Sequence, residues 1–385
     1  MTERPFHWRR LAPAIALAAL VIAAAPFLGT ARDLALGLLP RRAFDLAIAG
    51  LALLVASALL VGVSRLEQRR RLRVAGLVVC ALLVWLQIAG FATGIPEVDA
   101  VERAHIVEYG LLAALFFRAF LPHGALPALA LATVAGSFVG ILDEWLQWLV
   151  ATRVGEMGDV WLNAAAAGTG ALAGLCVAPA AKLGLPFTPG ARSATGWLVA
   201  ATVLAFGAFF ECAHRGYEIH DRQAGIVFRS WHSAEELREI SAQRARRWRE
   251  GHLPVLEPTR REDHYFIEGT SRVMHRNVSL EQSLYAAAWL EQRILERWYR
   301  PVLEQRGLRS GQPLNLGRAQ RAQLAGLAGP PASSRPYRSP VLADRIVVGV
   351  SATTWWAGVA CAAAVAAGLG AWPSWRPSGP FPGGS

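Results

Sequence analysis

Residues 125–150 read ALPALALATVAGSFVGILDEWLQWLV, and this stretch predicts the fold class of the chain. A helix needs about 20 mostly apolar residues to cross a bilayer, because lipid offers no partners to free backbone groups. The stretch has that length, and its only charged residues, Asp143 and Glu144, lie near its end. Over all 385 residues, 54% are hydrophobic and 17% are charged, which is too apolar for a soluble protein of this size.

Eight such segments predict an all-α integral membrane protein, with an extracytoplasmic helical domain inserted between the last two spans. The first segment follows a basic start and also fits a signal peptide, but the seven later spans favour a membrane helix. Two GxxxG pairs, Gly136 with Gly140 and Gly170 with Gly174, predict close approach of the fifth and sixth helices. The predicted spans are Leu11–Gly29, Asp45–Val63, Val74–Ala92, His105–Leu121, Ala125–Val150, Val160–Pro179, Ala194–Phe210 and Arg345–Ala371.

The turn after the second span predicts the orientation. It reads SRLEQRRRLR, residues 64–73, and holds five arginines against the single acid Glu67. Basic residues in short loops stay in the cytoplasm, so the N-terminus is also predicted inside. Arg32, Arg41 and Arg42 in the preceding loop favour the opposite orientation but are fewer. The chain is therefore predicted to lie in the inner (plasma) membrane, with residues 212–344 outside.

These boundaries divide the chain into six predicted regions. They are an N-terminal hairpin with its basic turn (1–73), a membrane domain (74–180), the seventh helix (181–211), a basic, mainly helical extracytoplasmic domain (212–344), the eighth helix (345–371) and a disordered tail rich in Pro and Gly (372–385).

The region from Cys212 to Asp344 carries more than half of the net positive charge. It contains 21 arginines and 15 acids, a net charge of +6 within a total of +11. Ser233–Glu236 and Ser279–Gln282 match the capping box that begins helices, and the second is predicted to open a long helix reaching Val302. Gly311–Pro340 is predicted to be a tether to the last span.

Other residues of this region are assigned structural roles. Six histidines have no metal-type spacing and are predicted at the surface, and four tryptophans are predicted to build a small core. The histidines are His214, His220, His232, His252, His264 and His275, and the tryptophans are Trp231, Trp248, Trp289 and Trp298.

The composition argues against several classes of protein. The four cysteines lie within or at the ends of apolar stretches, without the spacing of a disulfide scaffold or a zinc cluster. A net charge of +11 would suggest a nucleic-acid partner in a soluble protein. Here the charge divides between a cytoplasmic turn and an outer domain, so anionic lipid headgroups or wall polymers are the expected partners of that domain.

Ionisable residues inside the predicted spans are the candidate functional residues. A charged side chain at mid-membrane costs about 2.5–3.5 kcal/mol on insertion scales. At a rise of about 1.5 Å per residue, three consecutive spans bring such residues to one level of the outer leaflet. They are His105 and Glu108 in the fourth span, Asp143, Glu144 and Gln147 in the fifth, Arg153 in the next loop, and Asp159 and Asn163 in the sixth.

This set favours a binding or catalytic site over a purely structural clamp between helices. In the predicted site Arg153 binds a phosphate or carboxylate. Glu144 or Asp143 acts as the base, and His105 is its proton partner. The predicted substrate contacts are Arg153, Gln147, Asp159, Asn163 and Glu108. A divalent metal on His105, Glu108, Asp143 and Asp159 is a weaker alternative, because no HExxH-type spacing supports it, and no cofactor is assigned.

Two stretches, HIVEYGLLAALFF (105–117) and GILDEWLQWLVATRVGEMGDVWLNAAAAGTGALAG (140–174), resemble the VanZ-like family. Ala166 departs from the pattern, since members usually have glycine there. The resemblance covers about residues 74–180 and implies a bacterial envelope protein linked to teicoplanin-type glycopeptide susceptibility, without a settled biochemical activity. The matching positions are His105, Glu144, Gln147, Arg153, Asp159, Asn163 and Gly170.

Together these observations predict a VanZ-like envelope protein whose outward-facing polar site binds, and in one version processes, a lipid-linked or lipophilic envelope molecule. The expected partners are membrane lipids and lipid-linked envelope precursors, and no nucleic acid. Two alternatives remain open from the sequence. One is a proton-coupled transporter or lipid-export scaffold, and the other is a non-catalytic envelope interaction protein.

Overall fold

The computed structural model is mainly helical, with 77% of the residues in helices. It describes residues 8–38, 41–66, 68–92, 96–149, 155–179, 187–250, 264–307, 311–330 and 335–372. Within these ranges the elements are α1 (Trp8–Leu38), α2 (Arg41–Ser64), α3 (Arg70–Gly90), α4 (Pro96–Phe120), α5 (Ala125–Leu149), α6 (Met157–Cys176), α7 (Pro189–Ala213), β1 (Tyr217–Asp221), β2 (Ile226–Ser230), α8 (Ala234–Arg249), α9 (His264–Glu281), α10 (Tyr285–Trp298), α11 (Arg300–Leu303), α12 (Arg318–Ala328), β3 (Tyr337–Arg338) and α13 (Ala352–Ala371).

Six helical segments of the described chain are long and apolar enough to cross a membrane. The chain is thus a mainly helical protein of the multi-pass membrane class. The segments are Arg9–Phe27, Arg70–Gly90, Glu102–His123, Ala125–Leu149, Pro189–Ala213 and Ala352–Ala371.

Two of the eight predicted spans are not among these six. The described apolar part of α2, Ala49–Ser64, is shorter than a span. Helix α6 is long enough, but Asp159, Asn163 and several glycines lower its mean hydropathy. Eight spans therefore remain a prediction.

The chain divides into two compact units. The first, here called the apolar unit, comprises Met1–Leu146, Met157–Ala208 and Trp355–Ser385. The second, here called the arginine-rich unit, comprises Gln147–Glu156 and Phe209–Thr354.

Helix α6 packs closely against both α4 and α5 in the apolar unit. A Cβ atom added to Gly170 would lie 2.0 Å from the backbone oxygen of Gly110 on α4. One added to Gly136 on α5 would lie 2.7 Å from the Cβ atom of Ala167. The GxxxG pairs do allow close packing, but Gly170 and Gly174 lie against α4 rather than α5, because α6 presents its small residues to two neighbours.

Helix α3 holds the other side of α6 through polar contacts. The Arg73 guanidinium donates hydrogen bonds to the backbone oxygens of Cys176, at 2.8 Å, and Ala178, at 2.7 Å. Arg73 thereby satisfies carbonyl groups that the end of α6 leaves free. One of the five arginines used to predict orientation thus also has a structural role. Further along, Gln87 Nε2 donates to Thr169 Oγ1 at 2.8 Å.

The arginine-rich unit combines α8–α12 with a small sheet that the sequence did not predict. Strands β1 and β2 form an antiparallel hairpin, and β3 pairs with β2 in parallel. Asp221 Oδ1 accepts a hydrogen bond from the Ala224 backbone at 3.1 Å, and Gly225 has φ +67°, so this short turn closes the hairpin. The sheet packs on a core that includes Phe228, Leu237, Tyr265, Ile294, Trp298 and Val302.

Of the two predicted capping boxes, only the first begins a helix. Ser233 Oγ accepts from the Glu236 backbone at 3.2 Å, and the Glu236 carboxylate accepts from the Ser233 backbone at 2.6 Å. Ser279 instead lies buried near the end of α9, and the next helix starts at Tyr285, so the second box is wrong. Gly311–Pro340 is not a plain tether, because it holds α12 and β3.

The surface prediction is wrong for three histidines. His214, His232 and His264 are buried because aromatic rings and backbone groups surround them. His264 stacks on Trp148 with ring centroids 4.1 Å apart, and Arg345 provides a backbone oxygen 2.8 Å from His214 Nδ1. Burial lowers the pKa of His214. His220 is exposed, His275 is half-buried, and His252 lies outside the described residues.

The predicted tryptophan core is found in part. Trp231 and Trp298 are buried, and Trp248 packs against the same core as Trp298. Trp289 is only half-buried, and the Arg321 guanidinium lies 5.3 Å from its ring centroid.

Candidate functional site

Helix α4 contributes His105, Glu108 and Tyr109 to the candidate site in the apolar unit. Pro96 starts this helix, and its fixed φ suits a first helical position. His105 and Tyr109 are one turn apart, with ring centroids 6.1 Å apart in an edge-to-face arrangement. Both side chains are buried, whereas Glu108 is half-buried.

Helix α5 brings two adjacent carboxylates against this face. Tyr109 Oη donates a hydrogen bond to Asp143 Oδ2 at 2.9 Å. Asp143 is 3% exposed, and Glu144 is fully buried. Glu108 precedes Tyr109 on α4, and Glu144 follows Asp143 on α5, so two further acids are next in sequence to this hydrogen-bonded pair.

Helix α6 adds Asn163, which is fully buried. A Cβ atom on Gly140 would lie 2.8 Å from Asn163 Cβ and 3.4 Å from Tyr109 Cε1, so this glycine lets three helices meet. Within the described part of the chain, neither Nδ2 nor Oδ1 of Asn163 has a hydrogen-bond partner. A buried amide in this state offers both a donor and an acceptor to a bound molecule.

The other predicted site residues are placed differently. Gln147 is buried one turn beyond Asp143 on α5. Asp159 is half-buried in the first turn of α6, where a negative charge suits the positive end of the helix dipole. Arg153, the predicted anion ligand, lies outside the described residues.

Tyr109 is the functional candidate that sequence reasoning missed. It stands inside the quoted stretch HIVEYG, four residues after His105, so helical spacing could have placed it on the same face. Tyrosine is common near the ends of membrane spans, and only the three-dimensional contact shows that its hydroxyl is bonded to Asp143.

The metal alternative gains no support. Among the residues that the structure describes, no group of three or more His, Cys, Asp and Glu side chains is arranged to hold a metal ion.

A second buried polar cluster lies in the arginine-rich unit. Glu268, Arg272 and Glu291 are fully buried. Glu268 accepts hydrogen bonds from Ser230 Oγ at 3.0 Å and from the hydroxyl of Tyr299. Burial, followed by the charge of Glu268, raises the pKa of Tyr299, so this phenol stays protonated and donates. Arg272 pairs with Glu291 at 3.5 Å, and Tyr337 donates to the other oxygen of Glu291 at 3.0 Å, so these contacts tie the helices to the sheet and the cluster is interpreted as structural.

Comparison of the chain with protein-family models, with curated proteins and with solved structures finds no match. Functional inference therefore rests on the residues and geometry described above, and the resemblance to the VanZ-like family remains a prediction.

Proposed function

We propose that the apolar unit binds a lipid-linked or lipophilic molecule of the bacterial cell envelope. The observation that carries this proposal is the buried Tyr109–Asp143 hydrogen bond with Glu144 beside it in apolar helices. Buried acids are expensive in such surroundings, so their accumulation at one level favours a functional site. The amide of Asn163 adds donor and acceptor capacity at the same place.

The proposed roles follow the chemistry of each group. Asn163, Tyr109 and the acids orient the polar head of the ligand, and the surrounding helices contact its apolar part. Arg153 supplies the planar cation that suits a phosphate or carboxylate. Chemical processing is a further step in which Glu144 or Asp143 is the base and His105 its proton partner.

The proposed topology places this site near the outer face of the inner membrane. It has eight spans with the N-terminus in the cytoplasm and residues 212–344 outside, as the arginine turn at residues 64–73 favours. Cysteine labelling in a cysteine-free variant tests it, because Met274 and Leu72 are both exposed. A membrane-impermeant maleimide should label Met274→Cys but not Leu72→Cys in intact cells, and the reverse pattern would reject this orientation.

Glycopeptide susceptibility is the proposed cellular readout, on the basis of the VanZ-like resemblance. Cells producing the wild-type protein should tolerate teicoplanin better than cells producing Glu144→Gln. The matched control is Glu304→Gln. It also neutralises a carboxylate, but the Glu304 side chain follows α11 and is 49% exposed. Equal tolerance of Glu144→Gln and wild type, at equal membrane levels, would reject a role of the site in this phenotype.

A proton-coupled transporter is the second candidate. The buried Gln87–Thr169 hydrogen bond favours it, since Thr169 lies six residues beyond Asn163, about 9 Å further along α6. Polar contacts therefore occur at a second depth. Proton flux into proteoliposomes, measured with an enclosed pH dye, should then be lost in Thr169→Val. Flux equal to that of protein-free liposomes would reject transport and leave the binding site as proposed.

A further inference from the structure

Two adjoining grooves in the arginine-rich unit have no part in the proposed membrane site. One has a volume of about 350 Å³ and lies along β1 and the start of α8. The other has a volume of about 500 Å³ and lies between α8 and the α10–α11 corner. The grooves share Arg238, Arg297 and Trp298, so they form one continuous lining.

Five arginines and three acids line the two grooves, so guanidinium groups are in excess. Arg297 is held by Asp221 at 3.1 Å and by Gln223 at 3.1 Å, which fixes its position. In contrast, no carboxylate among the described residues pairs with Arg238 or Arg249. Arg249 Nε donates to the Ala245 backbone oxygen at 2.7 Å, which leaves its two terminal NH2 groups and the Arg238 guanidinium to face an external anion.

Trp298 positions two of these guanidiniums. It is 4% exposed and lines both grooves, and the guanidiniums of Arg238 and Arg297 lie 5.2 Å and 6.0 Å from its ring centroid. Cation–π contacts of this kind orient guanidiniums. Trp298 therefore holds Arg238 and Arg297 where the two grooves meet.

The spacing of residues along α8 indicates the shape of the anion that the grooves can hold. Arg238, Ala242, Ala245 and Arg249 follow helical spacing on one face and line the second groove. Arg249 lies eleven positions after Arg238, which corresponds to about 16 Å along the helix axis. The alanines between them leave room for a chain of anionic groups, whereas a single phosphate would reach only one end.

We propose that these grooves bind a linear polyanion that carries phosphate groups. The planar fork of arginine matches phosphate oxygens, and the first groove adds Arg222 to the arginines of the lining. A lipid surface fits less well, because the guanidiniums line concave grooves and the central Trp298 is buried rather than exposed for insertion. This inference is independent of the function proposed for the apolar unit.

The test uses the full-length protein in detergent and long-chain inorganic polyphosphate as the probe, with affinity measured by titration calorimetry. Arg238→Ala with Arg249→Ala should weaken binding by about 10-fold or more, because two charge-assisted contacts are lost. The matched control is Arg246→Ala with Arg293→Ala, which also removes two exposed arginines but none that lines a groove. The control should stay within about 3-fold of wild type, since it changes only the screened long-range field.

Three results would overturn the proposal. The first is equal weakening in the groove pair and the control pair, which would mean general charge attraction. The second is equally tight binding of tripolyphosphate, which would mean a single-anion site. The third is binding to phosphatidylglycerol vesicles without binding to polyphosphate, which would mean a membrane surface. If the alanine pair unfolds, Arg238→Gln with Arg249→Gln replaces it in the same comparison.

Discussion

Tyr109 Oη donates a hydrogen bond to Asp143 Oδ2 at 2.9 Å, which joins α4 to α5 inside the apolar unit. Tyr109 is fully buried and Asp143 is 3% exposed, so water does not compete strongly for this bond. Residues of three helices meet near this bond, because Gly140 on α5 lies close to both Asn163 on α6 and Tyr109 on α4.

Tyr109→Phe should destabilise the apolar unit. The change removes the buried donor that Tyr109 gives to Asp143 Oδ2, and losing one partner of a buried hydrogen bond costs about 1–3 kcal/mol. Thermal unfolding in detergent measures the effect. Tyr285→Phe is the control, because its hydroxyl makes only an exposed contact of 3.4 Å with Ser283. Equal unfolding temperatures for the two variants would contradict the importance of the buried bond.

Gly170→Ala should loosen the packing of α6 on α4. The new Cβ atom would lie 2.0 Å from the Gly110 backbone oxygen, so the helices must separate, at a cost of about 1–3 kcal/mol or more. Gly168→Ala on the same helix is the control, since its Cβ atom would meet only Thr133 Cγ2 at 3.8 Å. The better helix propensity of alanine makes this control neutral or slightly stabilising. Unfolding temperatures that fall equally would contradict the described α4–α6 contact.

Arg272→Met should unfold the arginine-rich unit more readily. Arg272 is fully buried, donates to the Arg229 backbone oxygen at 2.7 Å and faces Glu291 at 3.5 Å. Removing it leaves the buried Glu291 carboxylate without its charged partner, which costs about 3–5 kcal/mol. Arg300→Met removes a partner of Glu304 that is 78% exposed, and about 0–1 kcal/mol is expected. Denaturant unfolding, followed by tryptophan fluorescence, measures the stability of both variants. Similar unfolding midpoints for Arg272→Met and Arg300→Met would contradict the importance of the buried network.

The contact between α10 and α12 should weaken in acid. Burial raises the pKa of Glu296, but hydrogen bonds from Arg321 and Gln292 outweigh that effect and lower it overall. A lowered pKa in the folded state gives stability above the unfolded value of about 4.3, and this stability is lost as the pH falls through the folded value. Hydrogen exchange of α12 should therefore accelerate below about pH 4.

Glu296→Gln is the matching variant for this pH effect. It should remove the acid-dependent part of the exchange in α12, because the side chain no longer titrates. An unchanged acid response in Glu296→Gln would assign the effect to another group.

Residue patterns in the sequence predicted much of the fold, but they could not identify which distant residues contact each other. Ser233 and Ser279 open the same capping pattern, yet only Ser233 caps a helix, because α9 already runs through Ser279. Six of the eight predicted spans could be predicted from apolar length, whereas the packing of Gly170 on Gly110 joins residues 60 positions apart. The short β1–β2 hairpin was missed because five-residue strands carry little periodicity.

The candidate site was predicted as a set of residues rather than as a geometry. His105, Asp143, Glu144 and Asn163 were selected because they are polar residues in apolar helices, and the structure places them in buried positions. The role of Tyr109 required the contact with Asp143 to be seen.

Native mass spectrometry of the purified protein tests the central claim most directly. The wild-type protein should retain an envelope lipid with a phosphate or carboxylate head, and Glu144→Gln and Asn163→Leu should lose it while Glu304→Gln keeps it. Vesicle-reconstituted protein offered a polyprenyl phosphate should show the same order of binding. Identical lipid retention in all four proteins, each folded to the same extent, would contradict a ligand site at the buried carboxylates.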